Sequence, residues 1–339
     1  VSKVAVIGAG SWGTSASWLL GGKGHDVSLW AREPEIAEGI NTTHQNPHFM
    51  SDIVLPDSVV ASHEIGKVLE GVEAVVMVTP SLGVRTTAES MKPFTADDLP
   101  IVILSKGVEN GTLMLMTEVL EDVLGNRERL AGLSGPNHAE EVGKGVPSAT
   151  VVAAYDPKVG RLFQDLFTTR FFRVYTNPDV VGVELCGASK NVIAVAAGMS
   201  DGLGYGDNTK ATLMTRGLAE MGRLGSAMGA NPLTYMGLAG VGDLIATCTS
   251  KNSRNRALGE FIGRGGTLEG WSAQTSMVAE GAFACVAVEE LGKRLGIEMP
   301  LTRQVRAVLY EGLSLAEGED ALLGREASEE LYGLGTADE

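Results

Sequence analysis

Cysteine is scarce in this 339-residue chain: Cys186, Cys248 and Cys285 lie far apart and form no C-x-x-C pair. That spacing argues against a disulfide framework and against a zinc site, and it predicts a reducing, cytoplasmic compartment. Positive charge is also short, with 27 Lys and Arg against 42 Asp and Glu and a net charge of −15. Nucleic acid and anionic membranes need basic patches, so neither is expected as a partner. An anionic substrate must be drawn in by a few local cations. No charged stretch leads into an apolar signal segment, and no apolar run reaches the ~18 residues of a membrane span, so neither export by a cleavable signal nor membrane insertion is expected.

Apolar residues make up 44% of the chain, enough for sizeable cores, and the length predicts two domains. The 44 glycines are spread among apolar segments, which suits backbones that approach phosphates or pack helices closely. Residues 317–339 carry eight acids and one Arg and read as a solvated, partly mobile tail.

The segment KVAVIGAGSWGTSASWLLGGKGHDVSLWAREP is the most informative. KVAVI is a continuous apolar strand, as expected where both sheet faces are covered. Gly8, Gly10 and Gly13 then form G-x-G-x-x-G, TSASWLL reads as a helix and DVSLW as a second strand. This complete βαβ unit is the dinucleotide-binding, Rossmann-type arrangement: one glycine for the tight turn, one for contact with a pyrophosphate, one for close helix–strand packing. The helix start offers free N–H groups to the anion. An NAD-only site would place an acid at the end of the second strand, but Arg32 comes first there and Glu33 follows. A guanidinium suits a 2′-phosphate, which predicts acceptance of NADP(H) with NAD(H) also possible; the plain alternative for Arg32 is a solvated turn residue.

Further strands are expected at 73–80, 100–107, 129–136, 148–154 and 171–177. Ligands of open α/β sheets gather at strand C-terminal ends, where Lys106 and the Ser134-Gly135-Pro136-Asn137 turn fall. Lys106 could reach an anion or a carbonyl oxygen, or could be a surface-loop lysine. After Pro178 the strand signals stop, and helices are expected at 179–199, 208–229, 254–264, 275–296 and 300–313. The fold class is therefore α/β: a mostly parallel Rossmann-type sheet domain over 1–178, then an all-α domain over 179–339.

CGASKNVIAVAAG sets Lys190 in an apolar run. A lysine is rarely buried without a partner, so its charge either snorkels out or has a task. An apolar pocket would lower its pKa toward the working range of a general acid or base, and Asp243 in GVGDLIATCTS could oppose that shift and orient the amine. None of His25, His44, His48, His63 and His138 is as well placed in type. In SKNSRNRALGEFIG, Ser253 can cap a helix whose first turn holds Arg254, Asn255 and Arg256, a combination suited to a phosphate. Read separately, Asp243 is an ordinary turn former and the SRNR stretch an ordinary capped helix.

Together, VIGAGSWGT, SKG, SGP followed by Ala139 and Glu140, NVIAVAAGMSDGLG, TRGLAEM, GLAGVGDLIATCTS, SRNR, VAEG and PLT give the chain a resemblance, over roughly residues 3–325, to the bacterial NAD(P)-dependent glycerol-3-phosphate dehydrogenases. The resemblance implies interconversion of dihydroxyacetone phosphate and sn-glycerol 3-phosphate for glycerophospholipid synthesis by a cytoplasmic homodimer. It implies cofactor contacts from Ser11, Trp12, Arg32, Lys106, Ala139, Arg254, Val278 and Glu280. It implies substrate contacts from Lys106, Gly135, Asn137, Lys190, Asp243, Ser253, Arg254 and Asn255, with Lys190 as the proton carrier and no metal. Asn137 and His138 depart from the family's usual Ser or Thr and aromatic, and Cys186 replaces a common glycine. Two other readings are a hydroxy-acid dehydrogenase of the same plan, disfavoured by SRNR, and a non-enzymatic NADP-binding sensor, disfavoured by Lys190 and Asp243.

Overall fold

The structure is a computed structural model and describes residues 2–275, 278–326, 329–330 and 332–333. The chain divides into two compact units: Val1–Lys106 with Met114–Val180, and Gly107–Leu113 with Val181–Glu339.

The first unit alternates strands and helices: β1 (Lys3–Ile7), α1 (Ser11–Gly22), β2 (Asp26–Trp30), α2 (Pro34–Thr43), β3 (Val59–Ser62), α3 (Ile65–Leu69), β4 (Ala74–Met77), α4 (Val84–Met91), β5 (Ile101–Ile103), α5 (Met116–Leu124), β6 (Leu130–Ser134), α6 (Ala139–Val142), β7 (Ser148–Ala154), α7 (Pro157–Phe167) and β8 (Phe172–Asn177). The eight strands form one sheet in the order β3-β2-β1-β4-β5-β6-β7-β8. Every pairing is parallel except β6 with β7, where Ser134 faces Val151 in antiparallel register. The apolar run of β1 is explained by its two covers. Val4 and Val6 join one core with Leu20 of α1, Ile40 of α2 and Phe163 of α7, while Ala5 and Ile7 join a second with Met91 of α4 and Leu120 of α5. A fully buried Leu or Phe contributes ~1.5–3 kcal/mol by removal from water, so both layers hold β1 in place. Chain direction reverses its winding between β1 and β4, and it is at such a switch point, past the strand ends, that open sheets bind ligands.

The second unit is helical: α8 (Val180–Gly202), α9 (Asp207–Ala227), α10 (Asp243–Thr249), α11 (Arg254–Gly263), α12 (Leu268–Gln274), α13 (Glu280–Leu295), α14 (Pro300–Tyr310) and α15 (Leu315–Leu323). Among the described residues α8 is the one helix long and apolar enough to cross a membrane, and 94% of its apolar window is buried inside the protein. Helical phase hides this run from a search for unbroken apolar text, because Glu184 and Lys190 interrupt it yet are themselves buried. α8 and α11 meet backbone to backbone. A Cβ on Gly198 would stand 2.0 Å from the Arg256 carbonyl oxygen, and one on Gly259 would stand 2.0 Å from that of Val195. Gly202 and Gly263, one turn further along each helix, repeat the contact.

Several elements differ from expectation. β3 is a short strand of VVAS that carried no strand signal, and α10 and α12 are single-turn to two-turn helices. The acidic tail begins as α15, with Ser314 and Glu317 forming a reciprocal capping box, and α15 packs on α14. The end of the expected tail, at 327–328, 331 and 334–339, lies outside the described residues, as do positions 276–277 of the expected 275–296 helix.

Candidate active site

In the first unit the glycine loop between β1 and α1 forms a backbone cradle. Gly8 has φ +121°, a conformation that favours glycine, and its amide donates to the Trp30 carbonyl oxygen at 3.1 Å. A Cβ on Gly13 would stand 1.7 Å from the Gly8 oxygen, so α1 can approach the loop only with glycine there. A Cβ on Gly10 would meet nothing within 4 Å. Gly10 is also the N-cap of α1 and supplies no side-chain cap, which leaves the first-turn N–H groups of Ser11 and Trp12 for an anion. These features fit a dinucleotide pyrophosphate. Trp12 is turned toward the core, edge-on to Phe172 at 6.3 Å between ring centroids.

Asn46 braces the loop from outside. Its Nδ2 donates to the Ala9 carbonyl oxygen (2.8 Å) and to Thr14 Oγ1 (2.9 Å), and its Oδ1 accepts from the amides of His48 and Phe49. Sequence reasoning did not single out Asn46, and its only local signal is the Asn46-Pro47 turn dipeptide.

Arg32 follows β2 with its side chain 80% exposed and paired to Glu33 at 2.6 Å. It is placed at the end of the second strand, held by its neighbour and open to solvent. Lys106 follows β5, and its Nζ donates to the Gly135 carbonyl oxygen at 3.1 Å. Asn137 is buried, with Nδ2 donating to the Ala149 carbonyl oxygen at 2.9 Å and Oδ1 without a hydrogen-bond partner. Ala139 opens α6, and its carbonyl oxygen accepts from Ser15 of α1 at 2.9 Å. Lys106, Gly135 and Asn137 are thus one linked group at the β5 and β6 ends.

In the second unit Lys190 lies in mid-α8, only 6% exposed, and Asp243 begins α10 at 2%. Lys190 Nζ donates to Asp243 Oδ1 at 2.9 Å and to Thr247 Oγ1 at 2.6 Å, and Thr247 Oγ1 donates in turn to Asp243 Oδ1 at 3.1 Å. Snorkelling is excluded by this burial. Removing one partner of such a pair leaves an uncompensated buried charge, at a cost of about 3–5 kcal/mol. Thr247 was not foreseen, though it stands four residues after Asp243, on the same helix face. One residue on, burial pushes the Cys248 thiol up to about 12, so it stays protonated.

The adjacent Asn191 joins the SRNR helix. Asn255 Nδ2 donates to Asn191 Oδ1 at 2.9 Å, and the Gly281 amide donates to Asn255 Oδ1 at 2.8 Å. One amide side chain thereby ties α8, α11 and α13 together, and one N–H of Asn255 remains for a ligand. Ser253 caps α11 by accepting from the Arg256 amide at 3.2 Å. Arg254 is half-buried and makes no ion pair with a described residue. Arg256 does not join it: that guanidinium holds Asp201 at 2.7 Å and the Ser250 carbonyl oxygen at 3.0 Å, so the basic turn supplies one available cation rather than two. Val278 is half-buried just ahead of α13, and Glu280 is the first residue of that helix. The predicted residues therefore form two groups, one in each unit. Arg32 stands apart from the first group, and Val278 and Glu280 adjoin the second through Gly281.

Family comparisons give a consistent result. The N-terminal model of NAD-dependent glycerol-3-phosphate dehydrogenase matches residues 3–160, and the C-terminal model matches 179–318. A glycerol-3-phosphate dehydrogenase (NAD(P)+) of Pelotomaculum thermopropionicum is 47% identical over 99% of this chain and 97% of its own. Its counterpart in Streptomyces griseus is 47% identical over 97% of this chain and 98% of its own. The crystal structure of glycerol-3-phosphate dehydrogenase from Coxiella burnetii superposes with a TM-score of 0.91 at 36% identity, covering 96% of this chain and 99% of that one.

Proposed function

This chain belongs to the NAD-dependent glycerol-3-phosphate dehydrogenase family, and on that premise we propose that it reduces dihydroxyacetone phosphate to sn-glycerol 3-phosphate, reversibly, for glycerophospholipid synthesis. NADP(H) or NAD(H), when bound, supplies or takes up the hydride at the substrate C2. Gly8, Gly10 and Gly13, with the amides of Ser11 and Trp12, hold the pyrophosphate. Arg32 takes a 2′-phosphate once it exchanges Glu33 for it. Ala139, Arg254, Val278 and Glu280 complete the cofactor contacts.

Lys190 gives its proton to the C2 oxygen during reduction and recovers one during oxidation. The observation that carries this assignment is the buried triad of Lys190, Asp243 and Thr247, which fixes the amine by hydrogen bonds of 2.9 and 2.6 Å. Lys106 adds a second positive charge for the same oxygen, a role aimed at charge that grows in the transition state. Arg254 grips the substrate phosphate, helped by Asn255 and the capped start of α11, and Gly135 and Asn137 contact the substrate from their turn. Such a remote grip fixes orientation and lowers the barrier by several kcal/mol, at most ~7–11.

A cytoplasmic homodimer is part of the same proposal. Exposed Leu233 (76%) and Met236, on one short turn of the helical unit, support self-association, and sedimentation would show it. The central test mixes the protein with NADPH and dihydroxyacetone phosphate and follows nicotinamide absorbance. Turnover with an unphosphorylated 2-oxo acid but none with dihydroxyacetone phosphate would refute the reading.

A further inference from the structure

A cavity of about 800 Å³ lies wholly inside the helical unit. α8, α9, α14 and α15 supply its walls, which are largely aliphatic: Met199 of the first with Leu203 just past its end, Leu213 of the second, Val305 and Val308 of the third and Leu322 of the last. None of the residues assigned above to cofactor or substrate lines it.

Its polar groups are unevenly committed. Glu220 accepts from the amides of Leu301 and Thr302 and from the Thr302 hydroxyl, at the start of α14. Glu298 is paired with Arg325, and Glu319 accepts from Tyr205. Arg223 is different. It is 6% exposed, its guanidinium lies 4.6 Å from the Tyr332 ring centroid, and its Nε and Nη1 have no hydrogen-bond acceptor. Ser200, also buried in the lining, has an unpartnered hydroxyl. Donors left unmade in a buried site are costly, more so when charged, so a ligand that satisfied them would recover that cost. A neutral apolar ligand would not, nor would a cation, which has no lone pair to accept from them.

We propose that this cavity binds an amphiphilic anion, with a linear apolar chain along the helix walls and one acidic head, a carboxylate or a phosphate monoester, on Arg223. Natural examples are a fatty carboxylate and a single-chain lipid phosphate, which share this chemistry. The inference does not depend on the reaction proposed above, since binding is read without turnover.

Calorimetric titration of the full-length protein tests it, using dodecanoate, dodecyl phosphate and dodecyltrimethylammonium below their micellar concentrations. The two anions are expected to bind at one per chain. The ammonium is expected to bind at least about tenfold more weakly, since one charge-assisted hydrogen bond accounts for that factor. From octanoate to dodecanoate the affinity should rise ~3–4-fold per methylene as apolar surface is buried. The stronger of the two anions identifies the natural head. Arg223→Gln should weaken binding of both anions about tenfold or more, and Val308→Trp, at a half-buried wall position, should abolish it by filling the space. Should Arg223→Gln fold poorly, Val308→Trp and the comparison with the ammonium carry the test. Equal affinity for anion and cation, or unchanged dodecanoate binding in a folded Val308→Trp protein, overturns the proposal.

Discussion

The two units use glycine for opposite ends. In the sheet unit Gly8 and Gly13 shape a tight turn around Gly10, whose backbone stays bare with open space beside it for a ligand. In the helical unit Gly198, Gly202, Gly259 and Gly263 keep two helices bare so that they touch each other, and that contact draws Lys190, Asn191 and Asn255 into one buried group. The difference teaches that one residue type can build a binding surface directly or build the frame that positions a side chain elsewhere.

The comparison is broken most sharply at Lys190. Lys190→Ala should lower kcat by ~10²–10⁴-fold, the usual share of a general acid, while NADPH binding by fluorescence titration stays unchanged. A loss of cofactor binding with kcat preserved would move the chemistry to the sheet unit. Gly259→Ala tests the frame. Its Cβ cannot be accommodated 2.0 Å from the Val195 oxygen without parting the helices, so thermal stability and kcat should fall together. Arg254→Ala should raise KM for dihydroxyacetone phosphate about 10–100-fold, the worth of a charge-assisted hydrogen bond, and weaken cofactor binding, with unchanged constants for both ligands counting against the grip.

Glu220 sharpens the energetic side of the contrast. Burial raises its carboxyl pKa to about 6, against 4.5 for an ordinary glutamate, with the backbone and hydroxyl donors of α14 opposing the rise. The folded state therefore binds more protons than the unfolded state between those values. Stability from this group falls as pH rises from 4.5 to about 6, by about 2 kcal/mol in all. Denaturant titrations across that window should show a decline in the native protein that is flatter in Glu220→Gln. The smallest effect is expected at Arg32: with its side chain 80% exposed and paired to Glu33, Arg32→Ala should reduce the preference for NADPH over NADH by about tenfold at most.

Legibility in the sequence followed the same division. The G-x-G-x-x-G turn, its flanking strands and the long helices were readable because each is a local pattern, a period or a punctuation mark. The antiparallel entry of β7 was not, since SATVVAA is the same buried apolar text whichever direction its neighbour runs. Lys190 with Asp243 was readable as an improbable burial. Arg256, in contrast, has the same text as a phosphate ligand and is spent on Asp201, because partner choice depends on a residue 55 positions away. Asn46 and Thr247 are ordinary polar residues whose importance arises only from what the fold brings near them.

The seam between α8 and α11 has a consequence for how this chain tolerates change. Its spacing has no slack, so a single extra carbon at Gly198 or Gly263 would be transmitted along α8 as a shift of the amine, with no rotamer free to absorb it. In a saturation mutagenesis screen those positions should therefore be as intolerant as Lys190 itself, although they carry no chemistry of their own.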